Sequence, residues 1–440
     1  MTEISGWGRH PRVDARETRD EDLERASLGG ALFRGLGRSY GDASLPARAG
    51  AHVVSTTRAD RVLAFDPATG VLRAEAGLSL SDLYRTLLAR GFAAPVVPGT
   101  EFVTLGGLVA CDVHGKGHHT AGTFGRHVRA LRMRVADGRV LEVSESSERE
   151  LFLATQGGMG LTGQILEVEV QLARVPSPWL RAETRAFADI DALVAALRDA
   201  SARSPYTVAW SDTTARGRAL GRGILISGDW AEPGEAPAAP PRWRPPLEMP
   251  FDLPSGLIAP WSIRLGNTAI FHWNRLKRRT SVQAPRSFFH PLDGIGHWNR
   301  AYGARGFVQY QCVVPIERDP RIVRRLFEIL VRQGGASPIS VVKDFGAEGR
   351  GLLSFPAPGV TLALDLPMRG AKTQALVDRL NDEVAAVGGR IYLAKDALTR
   401  PEHFRAMERR LGHWNEVRRK WDPEAHLRSA LSVRLLGDEP

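Results

Sequence analysis

Two glutamines, three lysines and a histidine carry the functional groups worth following in this sequence. In Phe307-Val308-Gln309-Tyr310-Gln311-Cys312-Val313 polar and apolar positions alternate. A strand here places Gln309 and Gln311 on one face. If buried, two such amides need partners. A polyol ligand supplies them, and so do the side chains of a neighbouring strand. Lys343 sits in Val341-Val342-Lys343-Asp344-Phe345, and Lys395 closes Ile391-Tyr392-Leu393-Ala394-Lys395. A lysine in such a run either blocks edge-to-edge pairing or fixes a cation at a site. Upstream, Cys111-Asp112-Val113-His114-Gly115-Lys116-Gly117-His118-His119 gathers three histidines and Lys116. Their spacing is cramped and no Cys, Asp or Glu cluster completes a tetrahedral set, so the expectation is no metal and one pocket-lining histidine.

Glycine-rich turns surround these residues. Arg34-Gly35-Leu36-Gly37-Arg38-Ser39-Tyr40-Gly41 follows the apolar run Ala31-Leu32-Phe33. Glycines let the backbone turn tightly, and successive free amides make a concavity that suits a phosphate. The spacing is not Gly-x-Gly-x-x-Gly and no amphipathic helix follows, so a Rossmann unit is not expected. A glycine-rich hairpin without a ligand is the plain alternative. Pro98-Gly99-Thr100, Thr104-Leu105-Gly106-Gly107 and the run Gly157 to Gly163, which includes Gly160, repeat the pattern. Together they suggest a long ligand threaded between two sheets.

The totals bound what these residues belong to. At 440 residues the natural expectation is two domains. A composition 43% hydrophobic and 25% charged is that of a soluble globular protein. No run of apolar residues is long enough to span a membrane, and the polar stretch Met1 to Asp20 predicts no secretory signal. Cys111 and Cys312 form no framework and read as small buried hydrophobes. The net charge of +10 favours anionic partners such as phosphates or a headgroup surface. Nucleic acid is not expected, because the arginines spread along the whole chain and no nucleic-acid module is recognisable.

The elements that must position the site are short strands first and helices later. Leu63 to Glu75 reads as a hairpin turning at Asp66-Pro67-Ala68-Thr69-Gly70. Leu80 to Arg90 reads as a helix capped by Ser81 and ended by Gly91. Val128 to Val135 and Val140 to Val143 form a second hairpin around Asp137-Gly138, and Gln164 to Leu172 a further strand. From Val175, apolar spacing marks helices through Ile190–Leu197, Ile322–Leu330 and Leu376–Val387, with strands at 306–314, 339–345 and 360–366. The dense prolines of 231–260 make that stretch a loop or lid. The tail from Thr399 reads as helical, with Thr399-x-x-Glu402 as a capping box.

Arg34 to Asp42 resembles the phosphate loop of the vanillyl-alcohol-oxidase class of flavoproteins. In longer blocks the chain resembles the branch of that class acting on a lipid-phosphate-linked ribose. These blocks include Gly6-Trp7-Gly8-Arg9, Pro98-Gly99-Thr100, Cys111 to Lys116, Phe124-Gly125, Gly160 to Gly163, His290 to Asp293, Trp298 to Gly303, Gln309 to Gln311, Ala394-Lys395-Asp396 and Val417 to Lys420. The likeness runs through nearly the whole chain.

It implies an α+β fold: a two-subdomain FAD-binding domain of the vanillyl-alcohol-oxidase (PCMH) type, and an antiparallel-sheet substrate domain flanked by helices. The first is residues 1–174 and 390–440. The second is 175–389, including the proline-rich loop 231–260. The implied reaction is oxidation of the ribose 2′-hydroxyl of a polyprenyl-phosphoryl ribose to a ketone. It is the first half of an epimerisation toward an arabinose donor for cell-wall polysaccharide, completed by a separate NAD-dependent reductase. A soluble alditol or aldonolactone oxidase, or a non-catalytic polyol- or lipid-phosphate-binding protein, is the alternative. The implied location is the cytoplasm or the membrane periphery.

The resemblance assigns FAD contacts to Arg34, Gly35, Leu36, Gly37, Arg38, Ser39, Tyr40, Gly41, Pro98, Gly99, Thr100, Thr104, Gly106, Gly107, Cys111, His114, Gly115, Gly160, Gly163, Tyr392 and Lys395. It assigns catalysis to Lys395 and His114, and substrate contacts to Lys116, Gln309, Gln311, Lys343, Phe289 and Ala363. FAD is expected without a covalent link, because Arg38 stands where related oxidases that attach it carry a histidine. Three positions depart from the branch. Ala363 replaces a cysteine, Phe289 a tyrosine and Thr361 an asparagine.

Overall fold

The computed structural model describes residues 1–254, 256–276 and 279–440. Besides a two-stranded sheet that pairs Phe92–Ala93 with Ala173–Arg174, the first segment builds two larger sheets. One runs Thr2–Ser5, Arg12–Arg19, His52–Ser55, Leu32–Arg34, antiparallel at the first pairing and parallel at the other two. The other is antiparallel throughout, in the order Val62–Asp66, Val71–Glu75, Gln164–Gln171, Val128–Arg134, Val140–Ser144. Its first hairpin closes where Asp66 accepts the Ala68 amide at 2.8 Å, a side-chain turn that Asp favours. Gly70 then takes φ of 76°.

Helix Leu80–Leu87 lies beside this sheet, with Leu80, Leu83, Tyr84 and Leu87 buried. Its cap is Ser79 and not Ser81: Ser79 Oγ accepts the Asp82 amide at 3.1 Å. Ser81 lies two residues further on, inside the helix and buried. Gly91, at φ of 82°, ends the short 3₁₀ extension Leu88–Arg90.

The second segment is one antiparallel sheet of eight strands. Their order is Arg279–Gln283, Leu180–Phe187, Gly223–Trp230, Tyr206–Ser211, Ser340–Phe345, Gly359–Pro367, Phe307–Val314, Arg390–Ile391. Helices Ile190–Ser201, Ile322–Arg332 and Ala371–Ala386 pack on its strands and on each other. Ile322, Val323, Leu326, Phe327, Ile329 and Leu330 are all buried, each side chain stabilising the fold by about 1.5–3 kcal/mol when removed from water. Of the proline-rich stretch, Leu247–Glu248 pairs with Ile295–Gly296, and helix Pro260–Arg275 begins at its last proline.

The tail returns to the first segment. Trp414 is fully buried and donates from Nε1 to the Ala154 carbonyl at 3.0 Å. Arg434 pairs with Asp42 at 2.7 and 2.8 Å and reaches Asp396 at 2.8 Å. The expected capping box at Thr399 is absent. Helix Pro401–Met407 has Arg400 at its cap position with no side-chain cap bond. Thr399 Oγ1 instead takes a hydrogen bond from Asn381 at 3.1 Å. Among the described residues no helix is long and apolar enough to cross a membrane.

Candidate active site

The sheet register places the polar residues. Gln309 lies opposite Asp365, Gln311 opposite Ala363 and Val313 opposite Thr361. On the other side of the same strand, Lys343 is opposite Thr361 and Val341 opposite Ala363. With period two, Gln309, Gln311, Thr361, Ala363, Asp365 and Lys343 therefore share one face. Lys343 is on an interior strand, so it cannot be an edge gatekeeper. Lys395 is no edge gatekeeper either, because it lies off the strand: pairing stops at Ile391 and the chain turns through 393–395.

Both glutamines are buried, at 6% and 4% exposure, and both have partners within the protein. Gln309 Nε2 donates to Asp365. Gln311 Nε2 donates to His114 Nε2 at 2.9 Å and to Thr361 Oγ1 at 3.1 Å. That arrangement puts the imidazole proton on Nδ1, a buried atom with no partner among the described residues. Burial, then the nearby Lys343, His118 and Lys395 charges, hold His114 well below the usual imidazole range, so it is neutral. Its ring is wedged among Phe345, Phe355 and Tyr392.

Three ammonium groups converge near this face. Lys395 Nζ stands 3.8 Å from the centre of the Tyr40 ring. Burial brings its pKa down to about 7, Asp365 opposes that shift and Lys343 adds to it. Burial brings Lys343 to about 8. Burial and Lys343 bring Lys116 to about 7, its ammonium held by the Phe288 carbonyl. Asp365 moves the other way, up to about 6, through burial.

Asp365 has no exposed surface and also accepts from Tyr302 Oη at 3.1 Å. Sequence reasoning missed both residues. The signal available was an acid inside the apolar strand 360–366, in register with Gln309. Phe289 is buried in a separate aromatic group with Tyr206, Trp230 and Phe288. Together with Lys116, Gly115 and Val97 it lines a small enclosure beside the main face.

The Arg34 to Gly41 loop adjoins Lys395 through Tyr40. Among the described residues, the amides of Leu36, Gly37, Arg38 and Ser39 have no acceptor in the protein. Arg38 stacks its guanidinium 3.8 Å from the Trp7 ring, and its buried Nε is unpartnered. Arg34 is used internally, donating to the Ser5 carbonyl at 2.6 Å and to Ser44. Beyond Gly99 and Gly160 the space is open. Other glycines are required by the protein itself. A Cβ would overlap the Asp396 carbonyl at Gly41, the Val97 carbonyl at Gly115, Met133 at Gly163 and Thr104 at Gly35.

Thr104 caps helix Leu105–Ala110 by accepting the Gly107 amide at 3.3 Å, and Gly106 donates to the Ala76 carbonyl. Asp293 receives the Glu101 amide at 2.7 Å and is bonded by Thr100, which fixes the Pro98-Gly99-Thr100 turn. Cys111 ends that helix. Its carbonyl accepts from Tyr392 Oη at 3.0 Å, and its thiol lies 3.9 Å from Ser39 Oγ. The Arg34 to Gly41 loop, Cys111 and the Tyr392 to Lys395 turn thus meet, with Arg34 bracing the loop and Phe289 in its separate aromatic group. Free amides, an unpartnered arginine nitrogen and open space at two glycines suit a dinucleotide with a pyrophosphate.

Residues 30–144 match the model of an FAD binding domain. The chain is 35% identical to the decaprenylphosphoryl-beta-D-ribose oxidase of Mycolicibacterium smegmatis over 98% of this chain and 97% of that protein. It is 38% identical to an uncharacterized protein in the mprA 5′ region of Streptomyces coelicolor, over 81% of this chain and all of that one. Against L-gulonolactone oxidase of Mus musculus the identity is 37%, but over only 26% of this chain. The cofactor is FAD, and the chain is an FAD-dependent oxidoreductase of α+β fold.

Proposed function

We propose, because the chain belongs to the decaprenylphosphoryl-β-D-ribose oxidase family, that it oxidises the ribose 2′-hydroxyl of a polyprenyl-phosphoryl ribose to the ketone. One observation carries this reading within the site. A polar face lies beside three half-buried lysines, two of them at about 7 and one at about 8. Desolvated amines that repel one another favour an anionic ligand, which restores their charge. A sugar linked through phosphate offers both the hydroxyls and the charge.

FAD, when bound, supplies the acceptor for the carbinol hydride. The protein's share is orientation and the hydroxyl proton. Gln309 and Gln311 position the sugar, Gln311 by accepting through Oε1 because its two N–H groups are held by His114 and Thr361. The Lys395–Asp365 pair takes the proton, since both groups titrate near neutral pH. His114, neutral, offers Nδ1–H as a donor. The likeness to gulonolactone oxidase is confined to about a quarter of the chain.

Anaerobic mixing with a polyprenyl-phosphoryl ribose is expected to bleach the flavin, and free alditols are not. Bleaching by the alditol alone would replace this reading with that of a soluble polyol oxidase. A ketone on the 2′ carbon is the substrate of a reductase, so an NAD-dependent partner enzyme is part of the proposal, as is peripheral association with the membrane that holds the lipid.

FAD is held without a covalent bond in this reading. An arginine guanidinium stays protonated and is not nucleophilic, so Arg38 can neutralise pyrophosphate but cannot form the link. Hot acid should release yellow cofactor into the supernatant; flavin that precipitates with the polypeptide would refute this. Gln311→Leu should weaken sugar binding by about 1–3 kcal/mol, the cost of leaving hydroxyls unpaired. The flavin spectrum should stay unchanged, and loss of flavin with normal sugar affinity would move Gln311 out of the sugar site.

A further inference from the structure

Helix Pro260–Arg275 is anchored on one side only. Ile263, Asn267 and Phe271 are buried beneath it. Asn267 donates to Asp212 at 3.1 Å, and Arg222 donates to Thr268 at 2.9 Å while covering the Phe271 ring. The outward side carries large exposed apolar residues around the exposed His272. Trp261 is 66% exposed, Leu265 68% and Leu276, at the helix end, 84%. At 3.6 residues per turn these three fall on one side of the helix. Phe251 and Leu257, on the approach to the helix, are exposed as well. So much apolar surface in water on a firmly held helix marks a contact face.

Charge identifies what it contacts. From Asp252 to Asp293 the sequence contains no acidic residue between these two, yet it carries Arg264, Arg275, Lys277, Arg278, Arg279 and Arg286. Arg264 and Arg275 flank the apolar side of the helix. An apolar stripe with tryptophan at its edge, cations beside it and no acid suits the headgroup boundary of an anionic bilayer. A protein groove of ordinary mixed charge would not call for so one-sided a segment. The position agrees. Asn267 also reaches the Ser337 carbonyl, and Ser337 Oγ receives the amide of Asp365. The helix therefore stands at the end of the sheet that carries the polar face.

We infer that helix Pro260–Arg275 docks the protein on an anionic phospholipid surface, seating Trp261, Leu265 and Leu276 at the headgroup boundary. This rests on the proposed membrane association for its setting, and it names the surface that makes it. The test is sedimentation of the full, FAD-loaded chain with vesicles of phosphatidylglycerol and phosphatidylcholine, or of phosphatidylcholine alone. The parent should bind the phosphatidylglycerol vesicles at least tenfold more tightly, and less so at high salt.

Trp261→Ser/Leu265→Ser/Leu276→Ser should lose about tenfold or more in vesicle affinity. It should keep its flavin spectrum and its bleaching rate with a water-soluble, short-prenyl phosphoryl ribose. Arg264→Glu/Arg275→Glu, which leaves the apolar side in place, should abolish the preference for phosphatidylglycerol. Failure of the parent to bind these vesicles, or equal binding by the triple variant, would overturn the inference. So would a parent dimer that the triple variant dissolves with no vesicle binding, which would make the face an interface between copies. Vesicle binding without bleaching by the soluble substrate would overturn the substrate reading and leave the docking surface standing.

Discussion

Lys395→Met is expected to slow flavin reduction by the sugar substrate roughly 10²-fold or more, the scale of losing one preorganised electrostatic contact. Rapid mixing on folded, FAD-loaded protein measures it. Methionine keeps most of the stem, so packing against the Tyr40 ring changes little. What goes is an amine whose pKa burial has brought to about 7. Such a group is protonated in part at neutral pH and can both receive a proton and stabilise developing negative charge. No other ammonium replaces it, because Lys343 is fixed on its own interior strand and Lys116 is held by the Phe288 carbonyl. A rate within a few fold of the parent would reduce Lys395 to a space-filling residue.

Asp365→Asn is expected to lower the rate of flavin reduction at pH 7 about tenfold or more and to displace its pH profile. The parent rate should rise from pH 6 to pH 7, as the coupled Asp365 and Lys395 groups, at about 6 and about 7, give up protons and become able to accept one. The groups facing this pair are Lys343, the Cys111 thiol, Gln309 and Tyr302. Removing the carboxylate removes the anion that supports the Lys395 ammonium. The remaining limb should therefore move to lower pH, on the order of one unit for a charge pair at this burial. Asparagine still accepts from Gln309, so the strand pairing should survive. An unchanged profile would make Asp365 only a partner for Gln309 and Tyr302.

Much of this site was legible in the sequence, for identifiable reasons. Alternation in 307–313 gave the shared face of Gln309 and Gln311, because period two survives any sheet topology. Glycine-rich loops signalled close backbone approach, although at Gly41, Gly115 and Gly163 the approaching group is the protein's own backbone or a methionine. The caps were read less well. Ser79 and Ser81 are both acceptable cap residues, and only the tertiary start of the helix chooses between them. Asp365 was passed over because an acid in an apolar strand looks like an interruption until its opposite neighbour is known. That neighbour, Gln309, is 56 residues away. Lys343 looked like an edge guard for the same reason: strand order is a long-range property.

The loop from Arg34 to Gly41 is also a junction in time. Trp7 and Gly8 donate to the carbonyls of Ser39 and Tyr40, and the Tyr40 amide donates to the Ala394 carbonyl. Asp42 is gripped by Arg434. The loop precedes by hundreds of residues the segments that supply its contacts on one side, Asp42 and Arg434 being 392 residues apart. Closing so long a chain segment has to precede the contacts that reward it, which makes assembly of this loop a late and slow event. A nascent chain thus carries an unfinished cradle until Ala394 and Arg434 have been made, and capture of the flavin follows their docking.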